Sequence, residues 1–318
     1  MTQILSCLTG DRQAAEYSNV LNTGKRRDAY TELYNLLLAK TGETSNITRA
    51  VLKDAIMVSL YGSLSKPAQL FGDNVTDFYE LMAQEYPYVW QLTKFTVKAW
   101  NSEVDSYSWT MPDGFEALIK VYNKEYLDFS FCNYNYTTQV KVNKPNKYGR
   151  AYLAHIIHSI DSLIVREITA YAMHNPKRIQ RIRDLLAGKN VLSVTNDVNQ
   201  EMVPLLLEKY KKSGFLSVHL LEFIDSETIK LVDENDLVEL LALVPNKPFA
   251  IRSTHDSFCV LPNYGNNLRR LYIAQLSKVA KSDLLQDILN QLPIGKVLFN
   301  KADNDMWKDV LDSEYALS

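Results

Sequence analysis

Cysteine is scarce in this 318-residue chain, which contains only three. They are far apart, at Cys7, Cys132 and Cys259, and no Cys-x-x-Cys pair occurs. That pattern argues for a reducing compartment and against structural zinc. Cys259 stands in a strand-like run, where we expect it to be a small core residue.

Long apolar runs and a strong net charge are also missing. No stretch approaches the roughly 18 apolar residues of a membrane span, and residues 1–5 have no basic region before an apolar run. We therefore expect neither a transmembrane helix nor a signal peptide, and no membrane partner. The 46% apolar and 23% charged fractions are those of an ordinary soluble protein, and the length allows two lobes. The net charge of −2 does not indicate a partner, although basic residues cluster locally.

The chain does contain a periodic stripe. Four side chains follow one another at intervals of four residues: Arg49, Lys53, Met57 and Tyr61. Four residues advance an α-helix by about 400°, so these side chains share one face, and Gly62 ends the helix. Two cations one turn apart can hold a polyphosphate, and the tyrosine can close over a base and sugar. The same spacing also fits a solvated helix face with an ordinary Tyr-Gly end.

A second informative segment lies far downstream, at residues 249–262. Two short apolar runs flank His255-Asp256, and Pro262 ends the second run, which predicts a strand, a tight turn and a strand. An aspartate at such a junction can present its carboxylate to Mg²⁺, which prefers hard oxygen ligands. Taken alone, an aspartate in a hairpin turn is most often only a turn residue.

The two motifs, in this order, closely resemble the single-subunit RNA polymerases of bacteriophages and mitochondria. In that family an Arg-xxx-Lys-xxx-Met-xxx-Tyr-Gly helix binds the incoming nucleotide, and a His-Asp-Ser hairpin carries one of two catalytic aspartates. The resemblance implies nucleotide binding by Arg49, Lys53, Met57, Tyr61 and Gly62. It also implies catalytic roles for Lys53, Tyr61 and Asp256, with Asp256 as a ligand of the cofactor Mg²⁺.

Weaker matches to the family are collinear with these two. Residues 26–30 resemble a fingers helix whose tyrosine, here Tyr30, lies near the template. Residues 109–115 resemble a turn that precedes the promoter-reading hairpin, and residues 310–316 resemble the C-terminal foot. His158 begins a His-Ser-x-Asp motif whose histidine reaches the hybrid or a ribose hydroxyl. The resemblance thus implies that Tyr30, His158 and His255 contact template or hybrid.

The implied fold is α+β and mostly helical: a right-hand polymerase palm and fingers, with a small antiparallel palm sheet and a β-hairpin in the fingers. The implied ranges are palm at 1–24, fingers at 25–157 and palm again at 158–318. Within them lie the nucleotide-binding helix at 47–61, capped by Ser45 or Asn46, a possible specificity hairpin at 120–145, an insertion at about 175–244 and the catalytic hairpin at 249–262. The hairpin residues Asn133, Tyr134, Asn135 and Tyr136 could contact bases or pack across the strands.

One expected residue is absent. Residues 3–11 resemble the segment just after the family's first catalytic aspartate, which would fall before Met1, while Asp11 matches a later Gly-Asp of the pattern. We expect a second polypeptide to supply that carboxylate, as in the split, two-subunit RNA polymerase of some lytic phages. A truncated form of a longer chain is the alternative.

The implied function is half of a DNA-directed RNA polymerase that transfers nucleotides by a two-metal mechanism. Its partners would be a second subunit, DNA template, RNA product and nucleoside triphosphates, in the cytoplasm of a phage-infected bacterium. A single-stranded-DNA-binding or recruitment factor is a further candidate partner. Met57 and Ser257 favour RNA synthesis, because related DNA polymerases usually carry Phe and Glu there. The alternatives are a non-catalytic nucleic-acid-binding accessory subunit, and a single-chain metal-dependent nuclease or primase that pairs Asp256 with another carboxylate.

Overall fold

The computed structural model describes residues 1–42, 47–147, 152–189, 197–255 and 257–317. These residues are mostly helical with small antiparallel sheets, which confirms the predicted class at that level. The helices are α1 (Thr2–Thr9), α2 (Arg12–Tyr17), α3 (Ala29–Thr41), α4 (Arg49–Leu60), α5 (Ser65–Phe71), α6 (Val75–Glu85), α7 (Pro87–Lys98), α8 (Tyr152–Ala172), α9 (Pro176–Leu186), α10 (Asp197–Ser213), α11 (Glu234–Leu243), α12 (Gly265–Lys281), α13 (Leu284–Gln291) and α14 (Met306–Val310). The strands are β1 (Ser106–Thr110), β2 (Glu116–Lys120), β3 (Tyr122–Phe131), β4 (Tyr134–Asn143), β5 (Arg252–Thr254) and β6 (Ser257–Cys259). Each strand pairs with its neighbour in sequence, giving three antiparallel hairpins. Of the helices described, none has the length and apolarity to cross a membrane.

Helix α4 forms where the stripe predicts it. The Thr48 hydroxyl accepts a hydrogen bond from the Val51 amide at 3.3 Å and caps the first turn. The expectation that Ser45 or Asn46 caps this helix was wrong, because the helix begins at Arg49 and Thr48 is its cap. Ser45 and Asn46 themselves lie outside the described residues. Gly62 takes a φ of 92°, a conformation that favours glycine, and the helix ends there. The buried face of the helix comprises Leu52, Ala55, Ile56, Ser59 and Leu60. The stripe therefore lies beside this buried face, on the more open side of the helix.

The β3–β4 hairpin confirms the ribbon predicted within residues 120–145. Its two ten-residue strands meet at Cys132 and Asn133, which both have positive φ, the geometry of a tight hairpin turn. Tyr136 stacks on Phe129 across the strands, with ring centroids 5.5 Å apart. Tyr134 is 68% exposed. The ring of Tyr136 therefore packs across the two strands, whereas the ring of Tyr134 faces solvent.

The β5–β6 hairpin confirms the strand, turn and strand predicted around His255. The φ of 56° at His255 closes the tight turn between the two strands. Side chains alternate across a strand, so the half-buried Phe258 faces the protein and its neighbour Cys259 faces solvent. The expectation that Cys259 is a core residue was wrong, because the strand pattern alone did not reveal which face is covered.

The predicted insertion is bound into the main core through α8. Glu167 is fully buried there and accepts hydrogen bonds from the Val218 amide, at 2.9 Å, and from the Ser217 hydroxyl. Burial raises the pKa of Glu167 and lowers the pKa of Lys278, whose ammonium donates to the Leu216 carbonyl at 3.2 Å. Residues 215–218 are therefore fixed to α8 and α12 by buried polar contacts.

Candidate active site

The stripe of α4 faces two adjoining clefts. Arg49 and Lys53 line the first, which we call the basic cleft and which has a volume of about 670 Å³. Met57 and Tyr61 line the second, the central cleft, of about 890 Å³. Tyr30 at the start of α3 lines both, so the two spaces meet at its ring. The α4 stripe thus runs from a cationic space into an aromatic one.

The central cleft brings together motifs that are far apart in the sequence. His158 of α8 and His255 of the β5–β6 turn line it together with Tyr61 and Tyr30. The Nε2 of His158 lies 3.3 Å from the Tyr61 hydroxyl oxygen, and the two rings meet edge to face with centroids 5.4 Å apart. Helix α8 therefore positions the Tyr61 side chain at the end of α4.

A carboxylate of α8 also lines the central cleft. Asp161 follows His158 by three residues, which places both on one helix face. The His-Ser-x-Asp motif contains Asp161, but the sequence analysis assigned it no role. Asp256 lies outside the described residues, between His255 on the cleft wall and Ser257 at the start of β6.

In the basic cleft, Arg49 is paired with a carboxylate. Its Nη2 lies 2.7 Å from Asp28 Oδ2, and its Nε donates to the Thr31 hydroxyl at 2.7 Å. Burial raises the pKa of Asp28, but hydrogen bonds from Thr31 and Arg49 outweigh it and lower the pKa overall. Both members of the pair are about half exposed, and such pairs contribute at most about 1 kcal/mol. An incoming anion can therefore displace Asp28 from Arg49 at little cost.

Besides Arg49, three cations line the basic cleft: Arg26, Lys53 and Arg27, the last of which forms ion pairs of its own. Arg26 lines the cleft and is exposed, and Lys53 forms no ion pair with any residue in the described ranges. The Nζ of Lys53 lies 5.5 Å from the centroid of the Tyr30 ring, and Cζ of Arg49 lies 5.9 Å from it. The cleft thus presents positive charge around one aromatic ring, an arrangement suited to a polyphosphate joined to a planar base.

Replacing Asp28 with Asn should tighten the binding of triphosphates. Asn caps a helix as well as Asp does, so the bond to the Thr31 amide is kept while the charge that occupies Arg49 is removed. We expect the dissociation constant of trinitrophenyl-ATP to fall up to about fivefold, measured by fluorescence at low salt. Asp73→Asn, at an exposed carboxylate outside the cleft, is the control. An unchanged constant in Asp28→Asn would show that triphosphates do not reach Arg49.

Asp11 has a structural position. Its carboxylate is buried and accepts hydrogen bonds from the backbone amides of Ala14, Tyr88 and Val89 at 2.9–3.1 Å. These bonds cap α2 and tie it to the first turn of α7. Asp11 is thus committed to the scaffold.

The carboxylates in the described ranges form an incomplete set for a metal ion. Within those ranges, no three His, Cys, Asp or Glu side chains are grouped so that they could hold one. Asp161 is the acidic side chain among the described residues that line the central cleft. The described part of the chain therefore does not by itself fit a complete two-metal centre.

Comparison with known proteins adds no relative. No protein-family model matches this chain, and no curated protein matches it. The functional interpretation consequently depends on the motifs and on the geometry of the two clefts.

Proposed function

We propose that this chain is the catalytic half of a DNA-directed RNA polymerase that acts in the cytoplasm of a phage-infected bacterium. The observation that carries the proposal is the convergence on one cleft of Tyr30, Met57, Tyr61, His158 and His255. These residues come from four separate motifs of the polymerase resemblance. Four unrelated surface motifs would have no reason to meet in one cleft.

The proposed nucleotide site follows the α4 stripe. Arg49 and Lys53 would neutralise the triphosphate in the basic cleft, because positioning and charge stabilisation dominate phosphoryl transfer. Tyr30 stands where the two clefts meet, and Met57 and Tyr61 line the space beyond. A nucleotide lying along α4 would have its triphosphate beside the cations and its base and ribose beside the aromatic rings.

Ribose recognition is assigned to Tyr61. Its hydroxyl oxygen lies 3.3 Å from Nε2 of His158, so a substrate hydroxyl placed beside the pair can reach both polar atoms. A site that hydrogen-bonds a substrate hydroxyl rejects the analogue that lacks it, because a polar group is left unpaired. Tyr61 and His158 together would distinguish ribonucleotides from deoxyribonucleotides.

Tyr61→Phe tests this assignment. The variant keeps the ring and loses the hydroxyl, so we expect the preference for ribonucleotides to fall about tenfold or more. The measurement is the ratio of kcat/KM for ATP and dATP in RNA extension by the assembled enzyme. His158→Ala should change the ratio in the same direction, and Tyr88→Phe, at an exposed tyrosine, should not. Undiminished rejection of dATP by Tyr61→Phe would remove the role.

The proposal includes a second subunit and Mg²⁺. Asp256 would supply one carboxylate to the metal site, and the partner would supply the other, since the described residues offer no complete set. The partner would also complete the surface that holds DNA template and RNA product. The β3–β4 hairpin and the insertion remain candidates for promoter contact and for a recruitment factor.

A single-chain nuclease or primase is the second candidate. Asp161 favours it, because this carboxylate lines the same cleft as His255. If the chain is such an enzyme, the pure chain should show metal-dependent turnover. Asp161→Asn and Asp256→Asn should then abolish that turnover to the same extent. The split polymerase instead requires the partner, and Asp161→Asn should retain most of its activity.

A further inference from the structure

The central cleft continues along α8 into a second pocket. This α8/α9 pocket lies between α8, α9 and the 3₁₀ turn Val218–Glu222 and has a volume of about 510 Å³. Val165 lines both spaces. The Nη1 of Arg166, in the pocket, also donates to the hydroxyl of Ser162, in the cleft, at 2.7 Å. One face of α8 thus forms a continuous wall from His158 to the pocket.

The pocket has apolar walls and a cationic rim. Ile179 and Leu221 contribute to the walls, at a volume within the range of small-molecule sites. Arg178 lies exposed at the rim, on a helix whose sequence Pro176–Leu186 has four cations and one carboxylate. His174 also lines the pocket and offers a planar ring. This combination suits a planar base attached to a phosphate.

Two side chains of the pocket have unsatisfied nitrogens. Nη2 of Arg166 and Nε2 of His219 are buried and have no hydrogen-bond partner among the described residues. The other nitrogens of these side chains are committed, to Asp113 and Ser162 for Arg166 and to Glu222 for His219. The Arg166 nitrogen is always a donor, whereas Nε2 of a neutral His219 whose Nδ1 donates to Glu222 is an acceptor. The pocket therefore presents one buried guanidinium donor without an acceptor, which is costly to leave unpaired.

We propose that the α8/α9 pocket binds an unpaired nucleotide of a single-stranded polynucleotide that continues from the central cleft along α8. The base would occupy the apolar pocket, and the adjacent phosphate would lie against Arg178. The polynucleotide is favoured over a free small anion, because the pocket opens from the same α8 face as the central cleft and Val165 lines both spaces. The inference rests on the proposed function, because the polymerase site would be the source of the single-stranded polynucleotide. Binding of the polynucleotide can nevertheless be measured without catalysis.

The test is binding of fluorescein-labelled oligothymidylate to the full chain, followed by anisotropy at fixed salt. Ala170→Met narrows the pocket without changing charge, and Arg178→Gln removes the rim cation. Each should weaken binding about tenfold, the loss expected for one stacked base or phosphate contact. Arg181→Gln, an exposed position of the same helix outside the pocket, is the matched control and should change affinity little.

The other outcomes each overturn the inference. Equal losses in Arg178→Gln and Arg181→Gln, with none in Ala170→Met, would indicate diffuse attraction to α9. Thymidine monophosphate binding as tightly as the oligonucleotide would indicate a small-molecule site.

Trinitrophenyl-ATP binding, measured on the same variants, should stay unchanged, since the pocket is separate from the basic cleft. Oligonucleotide binding that is unchanged in both Ala170→Met and Arg178→Gln therefore refutes the pocket, whereas a wild-type chain that does not bind trinitrophenyl-ATP refutes the proposed function.

Discussion

Asp256→Asn is expected to abolish nucleotide incorporation by the assembled enzyme, lowering kcat by about a thousandfold or more. The substitution keeps the size of the side chain and removes the negative charge that a bridging metal ligand must provide. Asp256 follows His255, which lines the central cleft, and precedes Ser257, which begins β6. Single-turnover extension of an RNA primer on a DNA template in saturating Mg²⁺ measures the loss.

The control for Asp256→Asn is assembly. Because the hairpin is held by the pairing of Arg252 with Cys259 and of Thr254 with Ser257, the variant should fold and bind its partner as the wild type does. Asp73→Asn should leave incorporation unchanged. Retained turnover in Asp256→Asn, with normal assembly, would assign the metal to another carboxylate, of which Asp161 is the first to test.

Lys53→Met should lower kcat/KM for nucleotide incorporation about a hundredfold. Methionine preserves much of the apolar stem, so packing on α4 is kept and the ammonium alone is lost. Lys53 has the larger expected effect of the two α4 cations, because Arg49 is already paired with Asp28 and Lys53 forms no ion pair with a described residue. The measurement is kcat and KM for one nucleotide added to a defined primer.

Lys66→Met provides the comparison for Lys53→Met. Lys66 is exposed on α5, outside both clefts, and its loss should change kcat/KM less than twofold. If Lys53 acts on the transition state, kcat falls as well as affinity. A rise in KM with unchanged kcat would restrict Lys53 to ground-state binding, and no change in either would remove it from the site.

Local sequence patterns predicted the parts of the site that depend on spacing within one element. The intervals of four on α4 predicted the face that its side chains share. The β3–β4 hairpin, by contrast, lies in the range that the resemblance implied. Within one helix or strand, the spacing of residues along the sequence determines which side chains share a face.

Long-range contacts could not be predicted in this way. His158 and Tyr61 are 97 residues apart and meet only because α8 packs beside the end of α4. The pairing of Asp28 with Arg49 similarly joins the cap of α3 to the first turn of α4. Asp161 acquires its place on the cleft wall from the packing of α8. Tertiary packing decides such contacts, so sequence spacing alone gives no signal for them.

The most direct test of the split polymerase is RNA synthesis by the chain purified from its native source with the polypeptides bound to it. Incorporation of labelled ribonucleotides on a DNA template would be compared with incorporation by the same chain purified alone. We expect synthesis that depends on template and Mg²⁺ from the complex, and none from the isolated chain. Equal synthesis by the isolated chain would contradict the division of the catalytic site, and no template-directed synthesis from the intact complex would contradict the polymerase function itself.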